Sequence, residues 1–392
     1  MINILGVKLT TLSKKEILDK LEGFIKDGRQ HYLVTPNPEI ILEARKNEEL
    51  FFILNQADLS IPDGVGLKFA AWAMGKNIKR FTGADLVKEI LANPIFKNLK
   101  IALANWESGL SKKKDLEKLF EILGIKNYFI KDVARVVEPN LDELISFQPD
   151  ILFSNLGSPY QEKFIYHNLK KLPSVKFGLG VGGAFDFLTG RAERAPRWMR
   201  AMGLEWLWRL FIQPKRFKRI YQAVIIFPLK FANWLLINPF LYRPNVACIL
   251  YRRRGEEIEI LLAERRENPD HWQLPQGGTD GEDLVTAGSR ELREEVGTDK
   301  FKAVASYKNL WRYRIPRVGK TGTNYKGQKQ GLFVAEFFGS DEDIKINFWD
   351  HRSWKWVKAD DIISTVYPER QEATKVFMEK FKLLFDPSNK IL

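Results

Sequence analysis

The chain has 392 residues, 45% of them hydrophobic and 12% aromatic, which is too many for one ordinary domain and enough for real cores. Its 62 Lys and Arg against 49 Asp and Glu give a formal net charge of +13, pointing to an anionic partner: a nucleotide, a phospholipid surface or a nucleic acid. A single cysteine, Cys248, excludes an internal disulfide and a thiolate metal cluster, so a reducing interior fits best.

The start, MINILGVKLT, lacks the basic n-region and long apolar h-region of a signal peptide. From there to about residue 190, strand-like apolar runs alternate with helical patterns. HYLVTPN, KIALANW and ILFSNLGS read as buried strands ending in polar loops. SKKKDLEKLFEIL, between them, has helical spacing with a charged outer face. PSVKFGLGVGGAFDFLTG adds a further strand and a Gly-rich turn. This alternation predicts an α/β, Rossmann-like fold: a mainly parallel sheet covered by helices, with ligands beyond the carboxyl ends of the strands.

Between Arg191 and Tyr221 the character changes. Arg194, Arg197, Arg200, Arg209, Lys215, Arg216, Lys218 and Arg219 interleave with Trp198, Trp206, Trp208, Phe211 and Phe217, and Glu193 and Glu205 are the only acids. AVIIFPLKFANWLLINPFLY follows, almost wholly apolar but broken by Pro228, Lys230, Asn233 and Pro239. A spanning helix needs about 20 apolar residues with few breaks. The pattern therefore predicts a helix lying in a membrane interface or packed on the protein, with Trp and Arg at headgroup level.

Arg243-Pro244 marks a junction. RPNVACILYRRRGEEIEILLAERR then reads as a hairpin, with Cys248 a buried strand residue. Residues 283 to 296 read as a helix capped by Gly297. Strands near GLFVAEFFG and SWKWVKA and a helix around ERQEATKVFMEKFKLLF complete an α+β domain. The expected organisation is thus 1–190, an α/β domain; 191–242, a basic aromatic tail with a membrane-associating segment; and 243–392, a second domain.

Glu291, Glu294 and Glu295 stand at i, i+3 and i+4, one face of a helix. Crowded carboxylates repel unless a cation neutralises them, and hard oxygen ligands suit Mg²⁺ or Mn²⁺. The alternative is a solvated acidic helix face. Glu282, seven residues, then Arg290-Glu291-Leu292-Arg293-Glu294-Glu295-Val296-Gly297 closely resembles the box of Nudix hydrolases, whose domain is an α/β/α sandwich. The resemblance implies that Glu291, Glu294 and Glu295 ligate metal, that Glu294 and Glu295 are catalytic, and that Arg290 pairs with Glu282. One departure stands out: Gln276 occupies the place of the opening glycine, so the loop before Glu282 is one residue short. Trp272 to Gly278 and Tyr325 to Gln330 are similar to RNA pyrophosphohydrolases and dinucleoside-polyphosphate hydrolases. Lys326 and Lys329 are then candidate phosphate ligands, and Asp350 a candidate further metal ligand.

The first half carries its own series: Thr35-Pro36-Asn37-Pro38-Glu39, Pro62-Asp63-Gly64-Val65-Gly66, Arg80 to Asp85, Gly157 to Glu162, Gly180 to Asp186, Arg194-Ala195-Pro196 and Gly203 to Leu210. In that order these resemble the WecG/TagA/CpsF glycosyltransferases, over about residues 1 to 222. The resemblance implies transfer of an N-acetylmannosaminyl or related sugar from a UDP-sugar to a polyprenyl-diphosphate-linked acceptor, with a basic C-terminal tail that associates with the membrane.

Glycosyl transfer needs a base for the acceptor hydroxyl, and Asp63 is the candidate. The departing UDP needs cationic stabilisation, for which Arg80, Arg209, Arg216 and Arg219 are candidates. Thr35, Asn37 and Gln161 suit sugar or nucleotide hydroxyls, and the turn around Gly182 offers backbone N–H groups to a ligand. Ala104 to Gly109 stands where the family has a Gly-rich loop.

The expectation is a bifunctional enzyme, cytoplasmic and peripheral on the inner face of the membrane, with a nucleotide-diphosphate substrate for its second domain. A homo-oligomer is compatible. Two other readings stand beside it: an active transferase with a nucleotide-sensing Nudix module, and an RNA 5′-end pyrophosphohydrolase whose basic tail binds RNA.

Overall fold

The structure, a computed structural model, describes residues 1–136, 138–315 and 324–386. It divides into two compact units, Met1–Asn233 and Trp234–Leu392.

The first unit opens with a hairpin of β1 (Ile2–Ile4) and β2 (Val7–Leu9). Six further strands follow: β3 (His31–Val34), β4 (Leu59–Ser60), β5 (Ile101–Trp106), β6 (Tyr128–Val133), β7 (Ile151–Ser154) and β8 (Phe177–Gly180). They form one parallel sheet in the order β4-β3-β8-β7-β5-β6. β3, β7 and β8 are buried throughout, because helices cover both faces of a parallel sheet. Parallel strands also place their carboxyl ends on one edge. Thr35, Asp63, Asn155 and Gly182, each just past a strand, therefore fall together there. Local chemistry fixes the helices beside that edge: Asn37 caps Pro38–Ala44 and Thr82 caps Gly83–Ala92.

The tail forms helices Arg197–Ala201 and Glu205–Ile212, then a continuous helix over Phe217–Phe240. Pro228 does not break it. The preceding turn, Gln222–Ile226, is π-wound, with the Phe227 N–H on the Gln222 carbonyl, and Pro228 enters in the first turn of Phe227–Ala232. The 24-residue helix has hydropathy 1.6 and 22% of its apolar window buried, so it is long and apolar enough to cross a membrane.

The second unit contains β9 (Tyr242–Arg254), β10 (Glu257–Arg265), β11 (Trp272–Gln273), β12 (Gln276–Gly278), β13 (Phe301–Arg314), β14 (Gly327–Phe337) and β15 (His351–Lys358). The sheet order is β11-β10-β9-β14-β13, with β12 on β9 and β15 on β10. Only β9 and β14 pair in parallel among the described strands of this sheet. Alternation along β9 sends Ala247, Ile249 and Tyr251 to the helix Pro368–Lys382, and Val246, Cys248 and Leu250 to the helix that starts at Leu284. Helices thus cover both faces, as an α/β/α sandwich requires. The long β13 has no clean alternation and is largely exposed, which is why the sequence did not announce it.

Candidate functional sites

In the first unit, the backbone N–H of Gly83 donates to Asp63 Oδ2 at 3.2 Å, at the start of the helix Gly83–Ala92. A methyl group on Gly83 would sit 3.4 Å from Thr35 Oγ1 and 3.9 Å from Asp63 Oδ2, so these side chains converge around one backbone point. Asp63 is packed about by protein yet partly reached by solvent. Burial pushes its carboxyl above the ordinary aspartate value, against the pull of Arg80, the Gly83 N–H and Arg209. Such a group is a stronger base than an exposed aspartate.

Glu205 ties the two arginines together. Arg80 Nη2 lies 2.8 Å from its Oε2, and Arg209 Nη2 2.8 Å from its Oε1. Arg80 also donates to the Arg200 carbonyl at 3.3 Å. A cleft of about 420 Å³ opens beside them, lined by Arg80, Thr82, Asp85, Arg194, Arg197 and Arg200. Arg194 grips Asp85 with two bonds, 2.7 and 2.9 Å, leaving a cation-rich wall with one neutralised acid. Arg219 reaches Glu39 at 2.6 Å. Arg216 makes no ion pair among the described residues, and burial followed by the Arg219 and Arg209 cations holds its guanidinium below the ordinary value. Arginines crowded in this way favour an anion between them.

Four expected ligand groups make hydrogen bonds within the protein itself. Gln161 is buried, accepts from the Gly182 N–H at 2.7 Å and donates to Glu162 at 2.8 Å. Gln161 and Gly182 therefore brace the turn after β8 instead of offering it to a ligand. Thr35 donates to the Gly180 carbonyl at 3.3 Å, and Asn37 Oδ1 accepts from the Ile40 N–H at 2.9 Å. The structure adds a feature that sequence reading missed. Arg135 lies flat on Trp106, 3.5 Å from its ring centre, and 5.6 Å from that of Tyr160. The three come from loops and strand ends at the carboxyl edge and form a stacked surface of the kind on which a nucleobase rests.

In the second unit, Asp283 caps the helix Leu284–Glu291, which widens into a π turn over Leu292–Val296 and ends at left-handed Gly297. Glu291 and Glu295 are buried, while Glu294 is exposed. Arg290 is the hub: it reaches Glu282 at 3.0 Å, Glu291 at 2.6 Å, Glu294 at 2.9 Å and the Gly278 carbonyl at 2.6 Å. Burial works against its charge, but Glu291, Glu282 and Glu294 hold it above the ordinary arginine value. The short loop therefore still closes on the helix through the Arg290–Glu282 pair. Glu295 instead accepts from the Gln276 N–H at 2.9 Å and lies 3.3 Å from His351 Nε2.

The four expected metal ligands are not gathered on one centre. Asp350 is held by Arg265 at 3.1 Å, and among the described residues no three His, Cys, Asp or Glu side chains converge in a metal-holding cluster. Arg290 Nη1 bridges Glu291 and Glu294, while Glu295 turns to the Gln276 N–H and Asp350 to Arg265. The donor types nevertheless suit a divalent cation: three hard carboxylates, of which Glu291 and Glu295 are buried. Gly277 adds a second sign of fit. A Cβ there would lie 2.0 Å from the Glu291 carboxyl carbon, so the backbone passes over that carboxylate as only glycine allows. A Cβ on Gly278 would meet Arg243 at 2.2 Å, which brings a cation beside the loop that sequence reading had treated only as a junction. Lys326 turns onto Tyr242, 5.5 Å from its ring, and Lys329 is exposed within β14, so no described contact unites the two lysines.

The model of the "Glycosyl transferase WecG/TagA/CpsF family" matches residues 2–239, and that of the "NUDIX domain" matches residues 241–381. An RNA pyrophosphohydrolase of Wolbachia pipientis subsp. Culex pipiens is 38% identical over 155 residues, covering 38% of this chain and 93% of that protein. The N-acetylglucosaminyldiphosphoundecaprenol N-acetyl-beta-D-mannosaminyltransferase of Bacillus subtilis is 31% identical over 214 residues, covering 51% of this chain and 82% of that protein. A crystal structure of a C. elegans Ap4A hydrolase binary complex is similar at 24% identity, covering 36% of this chain and 98% of that one, with a TM-score of 0.29. The chain belongs to the WecG/TagA/CpsF glycosyltransferase family and carries a Nudix hydrolase domain behind it.

Proposed function

We propose that one chain joins two enzymes acting on diphosphates. The first transfers an N-acetylmannosaminyl-type sugar from a UDP-sugar to a polyprenyl-diphosphate-linked acceptor at the inner membrane surface. The second hydrolyses a diphosphate linkage in a nucleotide or at an RNA 5′ end, with Mg²⁺ or Mn²⁺.

For the transferase, the carrying observation is Asp63, held by the Gly83 N–H at the carboxyl edge of the sheet and made more basic by burial, with Arg80 and Arg209 near enough to pull on its charge. The acceptor hydroxyl gives its proton to Asp63 as its oxygen bonds to the anomeric carbon. The bond from that carbon to the UDP oxygen breaks, and Arg80, Arg209 and Arg216 meet the charge that appears on the leaving diphosphate. The Arg135–Trp106 stack takes the uracil.

For the hydrolase, the carrying observation is the Gly277 backbone laid over Glu291. Glu291, Glu294 and Glu295 would hold a divalent cation, which would supply positive charge to the diphosphate and make water a better nucleophile. Glu295, fixed by the Gln276 N–H, orients the water, and Arg243 holds substrate phosphate beside the loop. The hold of Arg290 on Glu291 and Glu294 favours one second reading, a nucleotide-sensing module without turnover.

The test uses the full chain. One arm supplies a panel of UDP-sugars with polyprenyl-diphosphate-GlcNAc; the other supplies triphosphorylated RNA and dinucleoside polyphosphates with Mg²⁺. An Asp63→Asn protein that transferred sugar at full rate would sink the base assignment. Nucleotide binding without hydrolysis would establish the sensing module instead.

A further inference from the structure

The helix Val65–Ala73 begins two residues after Asp63 and buries Leu67, Ala70 and Ala71 against the first unit. Its outer stripe is Lys68, Phe69, Trp72 and Ala73, with Phe69 63% and Trp72 77% exposed. A water-facing stripe on so short a helix is normally polar. From Gly64 to Ala84 there is no Asp or Glu, and Lys68, Lys76 and Lys79 are all exposed. Gly66 faces the ring of Phe227, so this helix adjoins the apolar tail helix, where Phe217, Ile225 and Leu229 are also exposed.

We propose that the helix Val65–Ala73 is a second membrane-docking element, inserting Phe69 and Trp72 among the headgroups of an anionic bilayer while Lys68, Lys76 and Lys79 bind lipid phosphates. Trp at the interface flanked by lysines is the pattern that such a surface recognises. A second copy of the chain is the poorer occupant, since a two-fold contact through this face would bring the same lysines together. At a rise of 1.5 Å per residue, Phe69 lies roughly 6 Å along the axis from the helix start beside Asp63. Docking therefore holds the mouth of the site at headgroup depth, where a lipid diphosphate lies. The inference rests on the transferase reading for a lipid-linked acceptor.

Cys248 is the single cysteine and is buried, so Trp72→Cys introduces a unique exposed thiol for an environment-sensitive fluorophore. The labelled full chain is mixed with vesicles of equal parts phosphatidylethanolamine and phosphatidylglycerol, or of phosphatidylcholine alone. The expected result is a blue shift on the anionic vesicles only, with Phe69→Ser/Trp72→Ser partitioning about tenfold more weakly than the parent protein and melting at the same temperature. A fluorophore that stays aqueous while the parent and the double variant bind equally would overturn this inference and leave docking to the tail helix. A parent protein that ignores both vesicles would overturn the inference while the transfer assay judges the catalytic reading separately. A blue shift without lipid that grows with protein concentration would assign the face to a second copy, and equal binding to both vesicles would remove the lysines from the proposal.

Discussion

The parallel sheet of the first unit surrounds one raised carboxylate with arginines, whereas the mixed sheet of the second surrounds one arginine with carboxylates. Around Asp63, the nearby cations are Arg80, Arg194 and Arg209, and Arg80 and Arg194 also wall the cleft. Around Arg290, Glu282, Glu291 and Glu294 converge, and a diphosphate would be repelled unless a cation stood between. On the proposed reading, the first unit would meet phosphate charge with side-chain cations directly, and the second would borrow a cation for its carboxylates.

The strongest way to break this contrast is to remove the cradle. Glu294→Gln/Glu295→Gln is expected to lower Mg²⁺-dependent diphosphate hydrolysis by about 10³-fold, with sugar transfer unchanged, both measured on the full chain. Next, Asp63→Asn is expected to lower transfer by about 10²-fold or more while leaving hydrolysis intact.

The raised pKa of Asp63 carries two further signs. The acid limb of transfer against pH should lie above the range of an exposed aspartate, because the base must be ionised. A carboxyl whose folded pKa is raised adds stability below its unfolded pKa and loses it as pH rises through the folded value. Asp63 is therefore a burden at neutral pH, and Asp63→Asn should melt no lower, and higher if anything, with the difference vanishing in acid. Calorimetry across pH checks this.

Gly277→Ala pushes a methyl group into the Glu291 carboxylate and should destabilise the second unit by about 1–3 kcal/mol. Denaturant titration reads that loss, and weaker Mn²⁺ binding by calorimetry ties it to the cradle. The smallest effect is sharpest for the nucleotide: Arg135→Ala should raise the KM for UDP-sugar by about 3- to 10-fold with kcat steady, through loss of the flat guanidinium over Trp106.

The sequence by itself determined what is periodic or contiguous. HYLVTPN and ILFSNLGS were legible as strands because parallel sheets bury both faces; the stretch with Glu291, Glu294 and Glu295 was legible as helical from its spacing, and Gly297 as its cap, whereas the π turn over Leu292–Val296 and the turning of Glu295 to the Gln276 N–H were not. The motif series in each half identified both families from short ordered stretches. Only the tertiary structure decided what depends on distant partners. Glu205 joins Arg80 to Arg209, Gln161 turns inward onto Gly182, Arg135 lies on Trp106, and Arg243 comes against Gly278. Each pairing joins residues far apart in the chain or brought together by a crossover, and no local pattern encodes it. The outward stripe of Phe69 and Trp72 belongs to the same class. Only the fold shows which face of that helix is buried, through Leu67, Ala70 and Ala71.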